Sequence, residues 1–474
     1  MIRHVEVRTG TYHDSVTLMQ VSQAVQGEDG VDAALVAMAT QLNLDLLGGM
    51  GFETPAATPN DLVIGVTADD DAALGRALAR VETALATRPA EAAGAGAVAP
   101  PRTVGSAARR DGATIAFVST PGPYAFADAM DALQHGLHVV VFSDNVPVEQ
   151  EVRLKQEARA RGLLVLGPDC GTAVVGGVGF GFANVVRPGP VGLVAASGTG
   201  AQQLMCLLSG AGVGISHCLG VGGRDLSAPV GGASTLAALD LLADDDATEV
   251  VVVVSKPPAP EVADAVRERA EKLGKPVVLA LLGPGRPDLT AVAETVVAAA
   301  GAQWRPPRFW PAAPAAGPYP SIRGLYAGGT LCEEARLLVE AELGPGAHTF
   351  VDFGDDTLTR GRPHPMIDNS LRTERLLAEA RDPSCGVVLL DVVLGHGAHP
   401  DPAAELAPAI VRARNVAGAR GRDLAVVVPL IGTADDPQDL EEQARALRDA
   451  GASVHLSNAA AARAAIALVR GGDE

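Results

Sequence analysis

Two hydrophobic patterns alternate along most of the chain: short, near-continuous runs of Val, Leu, Ile and Ala, and longer stretches with apolar residues every third or fourth position. The first pattern predicts buried strands and the second amphipathic helices. Within residues 1–90 the order is strand (4–8), helix from Asp14, strand (33–39), a Gly-rich turn (48–51), strand (61–68) and helix from Asp69. Asp14 and Asp69 stand where caps belong, with acids at the positive end of the second helix. This order predicts a small α+β module of the ferredoxin-like type. An Ala-, Gly- and Pro-rich stretch over 91–105 reads as a linker.

From residue 106 strands alternate with helices, the rhythm of right-handed parallel βαβ units. It predicts a Rossmann-like domain over 106–187, a doubly wound sheet over 188–304, a Pro-rich linker over 305–321 and a second doubly wound, flavodoxin-like sheet over 322–474. Open sheets of this kind bind ligands outside the carboxyl ends of their strands. The candidate chemistry should lie there.

Composition narrows the class. Of 474 residues 47% are hydrophobic but only 3% aromatic, so the cores are built from aliphatic side chains in several units. A formal net charge of −19 argues against nucleic-acid or anionic-membrane partners, which require clustered Lys and Arg. Five scattered cysteines without a CxxC pair read as reduced, buried thiols. The amino-terminal residues lack the apolar run of a signal peptide, and no window is long enough for a membrane span. The expectation is a cytoplasmic protein with a small anionic substrate, acting with other subunits or as a homo-oligomer.

The strand ends carry the candidate residues. After VGLVAA comes SGTGAQQL, in which Ser197, Gly198, Thr199 and Gly200 form either a capped corner or an anion cradle. It is no Walker A loop, because no Lys follows the glycines. In GVGGRDL, Arg224 and Asp225 are either an anion-binding fork with its neighbour or a pair that organises the turn. Lys256 is the cation of SKPP. Gly328, Gly329 and Thr330 repeat the strand, small-residue turn and helix order, a second cradle. Asp352, Asp355, Asp356, Arg360, Arg362, His364, Asp368 and Arg372 crowd one loop-like segment, and loops over a rigid sheet are where function concentrates. Gly395, His396, Gly397 and His399 form another glycine-rich strand end, with no further metal ligand placed by spacing.

These stretches, GLLVLGPDCGTA, VGLVAASGTGAQQL, GVGGRDLSAPVGG, VSKPP, LYAGGTL, VDFGDDTLTRGRPHPMIDNSLR and LLDVVLGHGAHPDPA, together resemble the FdrA family, a branch of the succinyl-CoA synthetase-like acyl-CoA synthetase superfamily. The resemblance runs over about residues 1–470. It implies a CoA-binding domain and ligase domain of α-subunit type over 106–186 and 188–300. Residues 322–470 then resemble the carboxyl-terminal domain of the β-subunit. Phosphate would sit between the helix start at Ser197–Gly200 and the turn Gly395, His396 and Gly397. The chain departs from the synthetases in two respects: no histidine stands between His217 and His348, where their phosphohistidine would fall, and no ATP-grasp domain is present.

The resemblance therefore implies phosphate or acyl-phosphate chemistry of the oxamate carbamoyltransferase type, oxalurate plus phosphate giving oxamate plus carbamoyl phosphate. Arg224, Arg360 and Arg362 would serve the substrate carboxylate or oxyanion and His364 would move a proton. Lys256, Asp225, Gly328, Gly329, Thr330, Asp355 and Asp356 are candidates for substrate binding. Two alternatives stand beside it: a CoA-dependent ligase component that needs a separate nucleotide-binding subunit, and a non-catalytic scaffold. CoA is the cofactor to test and no metal is expected.

Overall fold

A computed structural model describes residues 2–13, 15–86, 101–312, 319–359 and 362–471. The expected cap Asp14, most of the first linker and Arg360 lie outside them. In the amino-terminal unit the antiparallel strands Ile2–Arg8, Leu62–Ala68 and Val31–Met38 form a sheet with Leu62–Ala68 in the centre. Strand alternation sends Leu62, Ile64 and Val66 under the helices Ser15–Gln26 and Asp71–Ala86, and Val63 to the other face.

That other face is covered by a helix, Gln41–Gly49, which runs into the glycines that predict a turn at 48–51. Thr40 caps it by accepting a hydrogen bond from the Asn43 amide, and Leu44 and Leu47 bury against the sheet. Gly65 makes room, since a Cβ there would lie 2.5 Å from Leu47 Cδ1. Asp70, one residue beyond the expected Asp69, caps the helix Asp71–Ala86 by accepting from Ala73 N. Among the described residues this sheet has three strands, one fewer than a full ferredoxin-like sheet would need.

The second unit has parallel strands Ile115–Val118, His138–Val141 and Val165–Leu166. The third is a six-stranded sheet in the order Val277–Leu281, Val250–Ser255, Pro188–Ala196, Ile215–Gly220, Thr172–Val175 and Val178–Gly181. Its last two strands form a hairpin that pairs antiparallel with Ile215–Gly220, so residues before 187 complete this sheet. The fourth sheet is built on Ile322–Tyr326, Val387–Leu389 and Ala425–Ile431, with Thr349–Asp352 at one edge and Phe309–Trp310 at the other.

The third and fourth sheets share one core. Helices Gly198–Gly210 and Leu289–Ala299 pack against Gly329–Leu343 and Asn458–Arg470, with Leu204, Leu208, Val296, Leu331, Ala335 and Ala461 inside the layer. A fully buried Leu stabilises by about 1.5–3 kcal/mol, so this layer holds the two halves in fixed register. It brings the carboxyl ends of Pro188–Ala196 and Ile322–Tyr326 to one place. All five cysteines are unpaired and buried.

Candidate functional site

Two helix starts meet there. Ser197 caps Gly198–Gly210, its Oγ accepting from Gly200 N at 3.0 Å and donating to Thr330 Oγ1 at 2.6 Å. Only glycines permit so close an approach: a Cβ on Gly328 would lie 2.6 Å from Thr199 Oγ1, and one on Gly329 would run into Lys256 and Asp352. The partner of the Ser197 turn is thus Gly328, Gly329 and Thr330, not the turn at 395–399. The two segments read separately as cradles form one. The Ser197 hydroxyl is spent in holding it together, so the remaining donors are first-turn amides such as those of Gly198, Thr199, Gly329 and Thr330, which lie outside the intrahelical ladder. Both helices point their positive ends at this spot.

The second turn has its own support. The Asp391 carboxylate, fully buried, accepts from the amides of Ala327 (2.6 Å) and Gly328 (3.0 Å), while Arg372 bonds the same carboxylate at 2.7 Å. Asp391 was not singled out from sequence, because nothing in LLDVVLG distinguishes a supporting carboxylate from an ordinary strand end.

A cavity of about 1110 Å³ opens over the joined cradle. Lys256, Asp352, Asp169, Arg362 and His364 line it, with residues of the amino-terminal unit such as Met19 and Ser22 on one side. Lys256 Nζ lies 3.9 Å from Asp352 Oδ2. Burial pushes the Asp352 carboxyl up to about 6 against the pull of Lys256. Asp169 follows the Gly167–Pro168 turn in a left-handed conformation (φ 58) and faces the cavity. Its side chain is open to the cavity, and desolvation, with the charges of Asp356 and Asp144, raises its carboxyl to about 7. The GPDCG turn in the sequence was the only signal for Asp169.

His364 accepts a hydrogen bond from Met366 N at its Nδ1 (3.2 Å), which assigns the proton of the neutral ring to Nε2. Desolvation and the neighbouring Arg372 hold its pKa down to about 4. The neutral ring therefore presents its Nε2–H as a hydrogen-bond donor at neutral pH.

Other expected residues are engaged elsewhere. Arg224 binds Glu151 (3.0 Å) and the Val146 carbonyl. Asp225 is fully buried and takes Lys155 Nζ (2.7 Å), Ser234 N and the Thr235 hydroxyl and amide. Asp355 caps the turn of helix Asp356–Thr359 through Thr357, which lowers its pKa. Asp356 acts on Asp169 through its charge.

Gly395 exchanges hydrogen bonds with Gln438, and His396 pairs with Ala183 as an isolated bridge. The following helix begins only at Pro402, capped by Asp401, so this turn is not a helix start. His399 is bound to Glu405 at 3.2 Å.

Residues 1–101 match the family described as AllF, heavy metal-associated domain, and residues 325–468 the CoA-ligase family. YahF of Escherichia coli (strain K12), described as an uncharacterized protein, is 37% identical over 501 residues, covering 94% of this chain and 95% of YahF. The alpha subunit of succinate–CoA ligase (ADP-forming) from Methanothermobacter thermautotrophicus is 30% identical over 182 residues, 37% of this chain and 58% of that subunit. The malate–CoA ligase alpha subunit from Methylorubrum extorquens is 30% identical over 184 residues, 37% of this chain and 61% of that subunit.

Residues 1–101 contain no cysteine, the soft ligand heavy metals favour, and the described residues hold no cluster of three or more His, Cys, Asp or Glu able to take a metal. No described helix is long and apolar enough to cross a membrane.

Proposed function

The chain belongs to the family of Escherichia coli YahF, and from that premise we propose that it is a component of an acyl-CoA-ligase-type enzyme that holds phosphate or an acyl phosphate where its two helix starts meet. The observation that carries this reading is the Ser197–Thr330 hydrogen bond, which aims two helix amino termini at one wall of a cavity. Kinship with CoA-ligases over 325–468 and with ligase alpha subunits supports the same reading.

The residues divide the work. The amides of Gly198, Thr199, Gly329 and Thr330 bind phosphoryl oxygens and Lys256 offsets their charge. His364, fixed as an Nε2–H donor, hydrogen-bonds an oxygen on which charge develops, a role worth about 2.7–4 kcal/mol for a preorganised donor. Asp169, titrating near 7, holds or takes a proton.

The cavity reaches Ser119, Gly122, Ser143 and Asn145 at the strand ends of the second unit, and a Cβ on Gly122 would run into the Asp144 carbonyl. That open edge fits CoA, which would supply the thiol that accepts the acyl group. The nucleotide-binding part of such a cycle belongs to another subunit.

Carbamoyl transfer is the second reading. It is favoured by the lack of histidine between His217 and His348 and by the engaged Nδ1 of His364, because it needs phosphate as a reactant and no phosphohistidine.

Thermal unfolding of the full chain with inorganic phosphate, CoA, ATP and carbamoyl phosphate separates the two. A ligand at 100 times its Kd stabilises by about 2.7 kcal/mol. Stabilisation by phosphate and CoA supports the ligase reading. Stabilisation by carbamoyl phosphate with none by CoA moves the assignment to carbamoyl transfer, and no response to any anion overturns both.

A further inference from the structure

The chain has nine phenylalanines, and four of them stand in one row. Ring centroids lie 6.0 Å apart for Phe180–Phe117, 5.7 Å for Phe117–Phe142 and 5.8 Å for Phe142–Phe182, and the row ends on His364, 5.4 Å from Phe182. Only 3% of the residues are aromatic, so four phenyl rings in one row are a local concentration.

Phe117 is 43% exposed although it sits on the short strand Ile115–Val118, whose neighbours Ala116 and Val118 are buried. Part of its ring is open to solvent. Phe117, Phe142, Phe182 and Ile367 line a pocket of about 370 Å³ in which Ser119 is the one polar side chain.

Glycines keep this pocket open. Gly181 and Gly397 both have positive φ (69 and 81), and a Cβ on Gly397 would lie 3.3 Å from Phe182 Cδ1 while one on Gly181 would lie 3.0 Å from Phe142 Cε2. The GHG turn, expected at a phosphate, thus closes an apolar space.

The pocket is an annex of the cradle cavity and not a separate site. Ser119, Phe142, Phe182 and Ile367 line both spaces. The Thr172 hydroxyl, 3.6 Å from where a Cβ on Gly198 would stand, donates to the Phe182 carbonyl at 2.8 Å, so the phenyl wall begins one side chain away from the helix start. His364 lines the cradle cavity and touches the annex wall through Phe182, the two rings tilted by 39°, with its Nε2 towards the Asp352 turn at Gly354.

We infer that this annex takes the carbon skeleton of the substrate, and that the substrate is an anion, a carboxylate or its acyl phosphate, bearing an apolar or flat group of up to about phenyl size. The inference rests on the anion reading of the cradle and adds to it which anions are chosen. A two-carbon polar acid leaves the annex empty, while an apolar group entering it removes its own surface and that of Phe117 from water.

The probes are inorganic phosphate, methylphosphonate and phenylphosphonate, bound to the full chain and followed by calorimetry. Phenylphosphonate is expected to bind at least about tenfold more tightly than methylphosphonate, the scale for burying one ring. In Phe117→Ser, at a position 43% exposed, that ratio falls towards one, with thermal unfolding confirming that the variant is folded.

Equal affinity for the two phosphonates, with phosphate still binding, overturns the annex and leaves the cradle standing. A ratio that survives Phe117→Ser and Phe142→Ala also overturns it. Failure of all three anions to bind overturns the cradle and the annex together.

Discussion

Two clusters of opposite charge lie at the joints between units, and they differ in one respect. In the first, Lys155 bonds Glu151 and Asp225 at 2.7 Å each and the Val221 carbonyl at 3.0 Å, and Arg224 completes Glu151. Lys155, Glu151 and Asp225 are buried and every charge has close partners. In the second, Lys256 is 46% exposed and stands 3.9 Å from Asp352, with Asp169 facing the same cavity. A satisfied cluster holds units together and has nothing left for a ligand. A looser one, in which Asp352 has the Gly354 amide at 2.9 Å and Lys256 only at 3.9 Å and both Asp352 and Asp169 have raised carboxyls, leaves charge facing the cavity for a ligand.

The largest test of this contrast is Lys155→Ala. It removes the cation shared by two buried carboxylates, whose remaining partners are Arg224 and the Ser234 and Thr235 donors, and should cost about 3 kcal/mol in urea unfolding, with the loss of Lys256 as the reference. Gly329→Ala comes next: the new methyl displaces the flexible ends of Asp352 and Lys256, so anion binding should fall at least about tenfold, for about 1–3 kcal/mol of overpacking. Binding unchanged in that variant would place the anion elsewhere.

Lys256→Ala is expected to weaken sulfate binding about tenfold, about 1.4 kcal/mol, while unfolding shifts by no more than about 0.5 kcal/mol. The reverse pattern would make Lys256 structural.

The smallest effect is a pH dependence. Asp169 is protonated below about 7 and charged above it. Sulfate does not titrate in this range, so its affinity should fall as pH rises from 6 to 8, and Asp169→Asn should remove the part of the fall centred near 7 and leave the part near 6 that belongs to Asp352. The sign for stability is the same: the native carboxyl holds its proton more tightly than the unfolded one at 3.8, so Asp169 costs stability progressively as pH rises from that value through about 7.

The same contrast explains what could be seen in the sequence. The strands were legible because runs such as VVVVVS at 250–255 are apolar on both faces, the mark of a covered parallel sheet. The helix Gln41–Gly49 was hidden by the glycines at its end, although Leu44 and Leu47 carry its spacing. SGTG and GGT were each visible as helix starts. That they meet is a product of the helix layer between two sheets, which no local pattern encodes. GHG looked equivalent to them, but its backbone is consumed by Ala183 and Gln438. Arg224 and Asp225 looked like ligand-binding charge because their partners, Glu151 and Lys155, are some 70 residues away along the chain.

The joined cradle draws one half from each of two domains, and both belong to a single polypeptide. Their ratio is fixed at one to one by translation. The second half reaches the first at an effective concentration set by the tether and not by expression level. Dilution of the purified chain should therefore leave anion affinity unchanged, and any concentration dependence of turnover would report the arrival of a further subunit.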